Sequence, residues 1–408
     1  MSDAAIALPP FKIVASVLRK TTERLAREIV QPSSSAPDWS ELEWGVARST
    51  VAMQGTAALL AQRVRWRGPA GWQRFLEQQR EQLRLRDARI GLLLERIDAA
   101  ARDAGVGCVA LKGSALRALG IYRPGERPMG DVDLLVRAAD VTALDGALRG
   151  IDYVEAFVTE RHTTYDPRVK SEASDYREDA GNPIPIEVHT FVAEPLPVRN
   201  VDITERLQLA GARPGLNPYP TLAALALHLL LHAAGNMRAH ALRQIQLHDL
   251  ALLTSRFGDA DWQALADAAD ELWWAYPPLE LTRRYYGCEV PAALLRALRR
   301  RCPRLLRLAS DREELTDVSW SNLRISAFPG LAWSRTPLDA LRYVRSRALP
   351  SRTTRALMQG AVARHPHLTR VPWYQLPYGV RIVRWLLSRP PRVQTIVSVT
   401  AALRDAGS

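Results

Sequence analysis

Lysine is scarce in this 408-residue sequence, occurring only at 12, 20, 112 and 170, so its formal charge of +12 rests almost wholly on arginine. Cysteine is scarcer still, and Cys108, Cys288 and Cys302 are scattered and odd in number. That excludes a disulfide scaffold or a cysteine-based zinc module and fits a reducing cytosol. No apolar run reaches about 18 residues, which excludes a hydrophobic transmembrane helix. The first ten residues lack a basic start followed by a long apolar stretch, so no signal peptide is expected and a cytoplasmic location is. There is no internal repeat and no low-complexity tract beyond Ser33-Ser34-Ser35, which excludes solenoid architectures. What remains is 47% hydrophobic and 24% charged, the balance of an ordinary globular protein long enough for two or three domains.

The patterning divides the chain. Residues 11–30 read as a helix, broken by the loop at 31–37, and a second helical stretch covers about 40–66. In a third, Ile90, Leu93, Leu94, Ile97 and Ala101 repeat at helical spacing before Gly105. The period then changes. Residues 107–111 suit a buried strand opening into Lys112-Gly113-Ser114, with a short helix at 114–119 and the serine near its N-cap. Residues 131–136 read as a strand, Val141, Leu144 and Leu148 mark a helix face, and 184–192 hold the best later strand. From 221 onward the chain reads as helical, broken by prolines. The expected fold class is therefore α+β: a helical region over 1–104, a compact α+β core over 105–205, and an arginine-rich helical domain over 206–408.

Chemistry concentrates in the core. Alternate strand residues share a face, so Asp131 and Asp133 point one way while Val132 and Leu134 point the other. Two such carboxylates repel and are costly to desolvate, and a divalent cation removes that cost. Glu187 lies between Ile186 and Val188 on the later strand. If the two strands are neighbours, all three acids converge as a two-metal phosphoryl-transfer site requires. Gly113 would allow close backbone approach, a helix N-terminus at Ser114 would bind phosphate, and Lys112, Arg117 and Arg127 could add positive charge near a triphosphate.

A Gly-Ser turn, an Asp-x-Asp and a third acid on a later strand resemble the DNA polymerase β-type nucleotidyltransferase superfamily. More closely, Leu111-Lys112-Gly113-Ser114, Tyr122, Arg127, the run Gly130-Asp131-Val132-Asp133-Leu134-Leu135-Val136 and Ile186-Glu187-Val188-His189 resemble the bacterial uncharacterised nucleotidyltransferase family. The resemblance is specific over about 105–192 and extends weakly to Leu227-His228 and His248-Asp249-Leu250-Ala251. It implies a small mixed-sheet core and metal binding by Asp131, Asp133 and Glu187, with Mg²⁺ or Mn²⁺ as cofactor. It implies triphosphate binding by Gly113 and Ser114, an NTP (ATP above all) as donor, and a setting in peptide natural-product or polysaccharide biosynthesis. The gap between turn and first aspartate is longer than the superfamily's usual one, and 122–127 would form a substrate loop.

Two other readings compete. His228 and His232 lie one helical turn apart and His248-Asp249 follow, a grouping similar to metal-dependent HD phosphohydrolases, though the leucines around them favour hydrogen-bonded core histidines. Were that the catalytic centre, Asp249→Asn would abolish activity and Asp131→Asn would not. A non-enzyme rival is a catalytically silent member that binds nucleotide or scaffolds a biosynthetic complex. His189 shares Glu187's strand face and could orient a ligand or bind substrate. Finally, 22 arginines against six acids between Arg283 and Arg392, with Trp320, Trp333, Trp373 and Trp385 among them, suit nucleic acid or an anionic membrane surface, or simply a helical domain with an aromatic core and charged exterior.

Overall fold

The structure, a computed structural model, describes residues 8–169, 176–207, 211–350, 376–388 and 390–407, so Lys170 and Trp373 lie outside the described residues. The N-terminal part is helical, with α1 at Phe11–Val30, α2 at Glu41–Gln54, α3 at Ala57–Arg63 and α4 at Ala70–Asp103. The single stretch read over 40–66 is thus two helices. Ser40 and Glu43 form a capping box at the start of α2, and Gly55, at φ +69°, turns the chain out of it. Trp39, Trp44, Trp66 and Trp72 pack together around these helices, with successive ring centroids 4.9–6.4 Å apart.

The sheet follows: β1 Gly107–Ala110, α5 Lys112–Ala118, β2 Val132–Val136, α6 Val141–Gly150, β3 Tyr153–Val158, β4 His162–Pro167, β5 Ile186–His189, the small hairpin β6 Ala193–Pro195 and β7 Asn200–Asp202, and β8 Gly215–Asn217. Six strands form one mixed sheet in the order β3-β4-β5-β2-β1-β8, with β2–β5 and β1–β8 parallel and the other pairs antiparallel. β8 comes from the span assigned above to the helical domain, and its three residues are too few to show an alternation. α4 likewise joins the core from the other side. Its Ile90, Leu93 and Ile97 pack with Val132, Leu134, Val136, Ile186 and Val188 of the sheet and Leu144 and Leu148 of α6. Each such side chain contributes about 1.5–3 kcal/mol by leaving water.

Among the described residues the remainder is helical: α7 Leu222–Arg238, α8 Gln244–Thr254, α9 Asp259–Asp267, α10 Tyr276–Tyr286, α11 Ala292–Arg301, α12 Arg304–Ser310, α13 Leu315–Val318, α14 Pro337–Ala348, α15 Tyr378–Ser388 and α16 Val393–Gly407. α7 and α8 cover the sheet's second face, where Leu111 and Leu135 join their leucines in one core cluster. α16 returns to the N-terminal helices, Val399 packing with Val14 and Val46. Trp333 and Trp385 are buried core aromatics, while Arg392 lies over the Trp320 ring at 5.1 Å. No helix among the described residues is long and apolar enough to cross a membrane.

Candidate active site

The strand register makes the site. β2 and β5 run parallel with Val132 opposite Ile186, Asp133 opposite Glu187 and Leu135 opposite His189. The apolar alternates Val132, Leu134, Ile186 and Val188 fill the core beneath α4 and α6. Their neighbours Asp133, Glu187 and His189 therefore emerge on the other face, toward α7 and α8. Asp131 stands just before β2, where the Val132 N–H donates to Pro185 O at 2.9 Å.

Both strand entrances are held by Arg86, a residue not flagged in the sequence. Its guanidinium, 3% exposed, donates to Met129 O (2.8 Å), Gly130 O (2.9 Å), Asn182 O (2.8 Å) and Pro183 O (3.2 Å). These carbonyls lie immediately before Asp131 on one side and shortly before Glu187 on the other. The signal was present in α4, because Arg86 occupies an otherwise apolar row of buried residues with Leu83, Ile90, Leu93 and Ile97.

The acids differ in charge. Burial and the neighbouring Asp133 push Asp131 up to about 7. Burial also opposes the ionisation of Asp133, but Lys112 and His189 outweigh it and hold Asp133 well below the usual carboxylate range. Lys112 Nζ donates to Asp133 Oδ1 at 2.9 Å, and His189 Nε2 lies 3.1 Å from the same oxygen. Burial would raise Glu187 too, yet the contact with His189 lowers it. In His189 itself, burial disfavours the charge, and the hydrogen bonds to Asp133 and Glu187 overcome that and raise its pKa. Asp131 and Asp133 share the wall of one cleft, but among the described residues Asp131, Asp133 and Glu187 do not bring their oxygens close enough together to form one ligand group.

Asp131 and Asp133 face a cleft of about 320 Å³ that Lys112, Gly113, Ser114 and Arg127 also line. α5 starts two residues earlier than read, with Leu111 at its cap, so Ser114 lies in the first turn and not at the N-cap. Ser114 is 2% exposed and its Oγ has no hydrogen-bond partner, a buried donor turned toward the cleft wall without a protein acceptor. Gly113 is required by close approach: a Cβ there would meet Arg127 Nη1 at 2.5 Å. Lys112 takes φ +48°, a left-handed conformation that costs about 1 kcal/mol in a non-glycine residue. Its backbone N–H donates to the Tyr219 hydroxyl at 3.3 Å.

The two arginines part company. Arg127 lines the cleft but spends Nε and Nη2 on both oxygens of buried Asp249, each at 2.7 Å, and the Tyr122 hydroxyl donates to the same carboxylate at 2.7 Å. The loop at 122–127 is thereby pinned to α8 at both ends. Arg117 points elsewhere and pairs with Asp87 of α4 at 3.2 Å. A cation the sequence did not single out, Arg243, stands in the cleft wall beside Gln246 and Trp320.

The histidines of α7 and α8 do not converge. His228 Nδ1 is hydrogen-bonded to the Tyr219 hydroxyl at 2.7 Å, His232 to Asn236 at 3.1 Å, and His248 Nε2 lies 3.5 Å from Arg63. Burial pushes His228 well below its usual range and His248 down to about 4, so both are neutral. Among the described residues the one group of three or more histidine, cysteine or acidic side chains close enough to hold a metal is instead His162, Glu187 and His189 on β4 and β5.

A family model for uncharacterised nucleotidyltransferases matches residues 40–285, more than half of the sequence and the whole of the sheet with its flanking helices. The chain belongs to this family. Neither a curated protein nor a solved structure matches it. Membership makes the protein a transferase of nucleotidyl groups that binds a nucleotide substrate. Together with the ligand group on β4 and β5 it points to the use of a divalent metal. The span that matches begins at α2 and ends in α10, so this nucleotidyltransferase carries its family's signature across N-terminal helices, sheet and the α7–α8 cover alike.

Proposed function

We propose that the protein transfers a nucleoside monophosphate from an NTP, with ATP as donor, to an acceptor and releases pyrophosphate. One observation carries this reading: Asp133 and Glu187 sit opposite each other on adjacent parallel strands, with Asp131 beside Asp133 in the wall of one cleft. Asp131, Asp133 and Glu187 would hold Mg²⁺ or Mn²⁺, which supplies charge neutralisation for the phosphates and acidifies the acceptor hydroxyl when bound. In the step itself the acceptor oxygen forms a bond to the α-phosphorus, the bond from that phosphorus to the bridging oxygen breaks, and its electron pair leaves with pyrophosphate. The acceptor's proton passes to Glu187, which the His189 contact keeps ionised, or to solvent.

The chain's other residues bind and orient. The free hydroxyl of Ser114 donates to a phosphate oxygen, Gly113 leaves the triphosphate room beside Arg127, and Lys112 shifts its charge from Asp133 toward the phosphates once the carboxylate is otherwise neutralised. Arg127 contributes as a fixed positive wall, since Asp249 holds it. Arg117, turned to Asp87, has no part at the phosphates and stabilises α5 against α4.

The test is calorimetric titration of each of the four NTPs with Mg²⁺ into wild type and an Asp131→Asn/Asp133→Asn variant. Saturable binding of ATP that the variant loses supports the reading and supplies the donor for an acceptor screen. Absence of binding by every NTP overturns it.

A further inference from the structure

We infer that β4 and β5 carry a binding site for a borderline transition-metal cation of the Zn²⁺ or Co²⁺ class, built from His162, Glu187 and His189. The site deepens the nucleotidyl-transfer reading, because Glu187 belongs to both ligand sets, and rests on it only for placing the cation beside the nucleotide.

The register dictates the cluster. β4 and β5 are antiparallel, with His162 directly opposite His189 and Thr164 directly opposite Glu187. Residues two apart share a face, so all four side chains project together, on the face where Asp133 emerges from β2. The two oxygens of Glu187 divide between the rings: Oε1 lies 3.6 Å from His162 Nε2 and Oε2 lies 3.7 Å from His189 Nε2. One donor atom from each residue falls within 4.8 Å of the others. With metal–nitrogen and metal–oxygen bonds of about 2.0–2.2 Å, tetrahedral ligands sit roughly 3.3–3.6 Å apart, so both Glu187–histidine distances are already near coordination range, and His189 Nε2 ligates by giving up its proton and its contact with Asp133.

A second observation points the same way. Thr164 is 5% exposed and its Oγ1 has no hydrogen-bond partner, an orphan hydroxyl on the strand position facing Glu187. Buried polar groups are rarely left so, and a water in the coordination shell of a cation at Glu187 would satisfy it. The donor set decides the cation. Two imidazoles and a carboxylate suit Zn²⁺ or Co²⁺, whereas Mg²⁺ and Mn²⁺ prefer oxygen. The Asp131–Asp133 pair and this cluster thus offer neighbouring positions of different hardness, an oxygen-only one on β2 and an imidazole-rich one on β4 and β5.

The test uses the full chain without nucleotide. Co²⁺ is titrated in and its visible d–d absorption is followed, then competed with Zn²⁺ and separately with Mg²⁺. A single Co²⁺ with a strong four-coordinate spectrum is expected, displaced by Zn²⁺ and resistant to excess Mg²⁺. His162→Ala should weaken it by about a hundredfold, a ligand loss exceeding the typical loss from an outer partner. Asp131→Asn should leave the spectrum in place. X-ray absorption of Zn²⁺-loaded wild type needs no variant and should show imidazole scattering. Loss of the spectrum in Asp131→Asn but not in His162→Ala, full displacement by Mg²⁺, or an all-oxygen shell would each overturn the site. NTP binding in Mg²⁺, measured on the same protein, fails or succeeds separately, so the two readings fall independently.

Discussion

The protein holds two polar clusters that look alike as sequence and differ in kind as structure. On the sheet, Asp131, Asp133, Glu187 and His189 are set against one another, like charges together, with Lys112 and His189 as partial compensation. On α7 and α8, His228, His232 and Asp249 have hydrogen-bond partners in Tyr219, Asn236 and the Tyr122–Arg127 pair, while His248 Nε2 lies 3.5 Å from Arg63 and its Nδ1 is buried without a partner. The first arrangement is unfavourable alone, and the proposed cation and nucleotide would relieve it. The second is satisfied apart from His248 Nδ1, and among the described residues its side chains gather into no ligand group. Unresolved electrostatics mark a site, and resolved electrostatics mark a scaffold.

The largest effect should separate the two clusters at once. Asp131→Asn/Asp133→Asn should lower nucleotidyl transfer by at least about a thousandfold in a single-turnover assay while shifting the urea midpoint less than Asp249→Asn does, since relief of the Asp131–Asp133 repulsion offsets part of the lost contacts of Asp133 with Lys112 and His189. Asp249→Asn should do the reverse. It strips the counter-charge from buried Arg127 and should cost about 3 kcal/mol in urea unfolding, with transfer per folded molecule within about tenfold of wild type. Abolished transfer in a folded Asp249→Asn protein would restore the HD-type reading and break the comparison.

A smaller effect sharpens it. Arg86→Met keeps the bulk of the side chain in the α4 row but leaves four carbonyls at the strand entrances without their donor. It should cost about 2–3 kcal/mol of stability and weaken cation binding by about tenfold, because Asp131 and Glu187 lose a common anchor. An Arg86→Met protein that is destabilised yet binds its cation as wild type does would make Arg86 a purely structural residue.

Arg86 also shows where the sequence stops being informative. The acid face was legible because period-two alternation needs only the strand itself: Val132 and Leu134 beside Asp131 and Asp133 leave one possible sidedness. The β2–β5 pairing was conditional in sequence, since nothing local in Ile186-Glu187-Val188-His189 names its neighbour. Arg86's slot among leucines was visible, but its targets lie 43 to 97 residues away and depend on the fold. His162 was invisible as a ligand because β4 reads His-Thr-Thr-Tyr-Asp-Pro, with no apolar alternation to fix a face. Gly55 and Lys112 defeated the helix boundaries for one reason: a single positive φ breaks or starts a helix without altering the hydrophobic pattern around it.

The finest prediction concerns pH and the satisfied cluster. His248 is 1% exposed, and burial brings it down to about 4 from the ordinary 6.5. Its folded pKa lies below the unfolded one, so the unfolded chain takes up the proton first. The neutral ring's contribution is present above about pH 6.5 and is lost as the pH falls toward 4. Wild type should therefore lose about 1 kcal/mol more than His248→Gln between pH 7 and pH 5.5, read from urea midpoints at each pH. Nucleotide binding at pH 7 should not distinguish the two proteins. If the two pH profiles ran parallel, His248 would be solvated in the fold, and the contrast between a resolved cluster and an unresolved one would fail at the residue that most resembles a ligand.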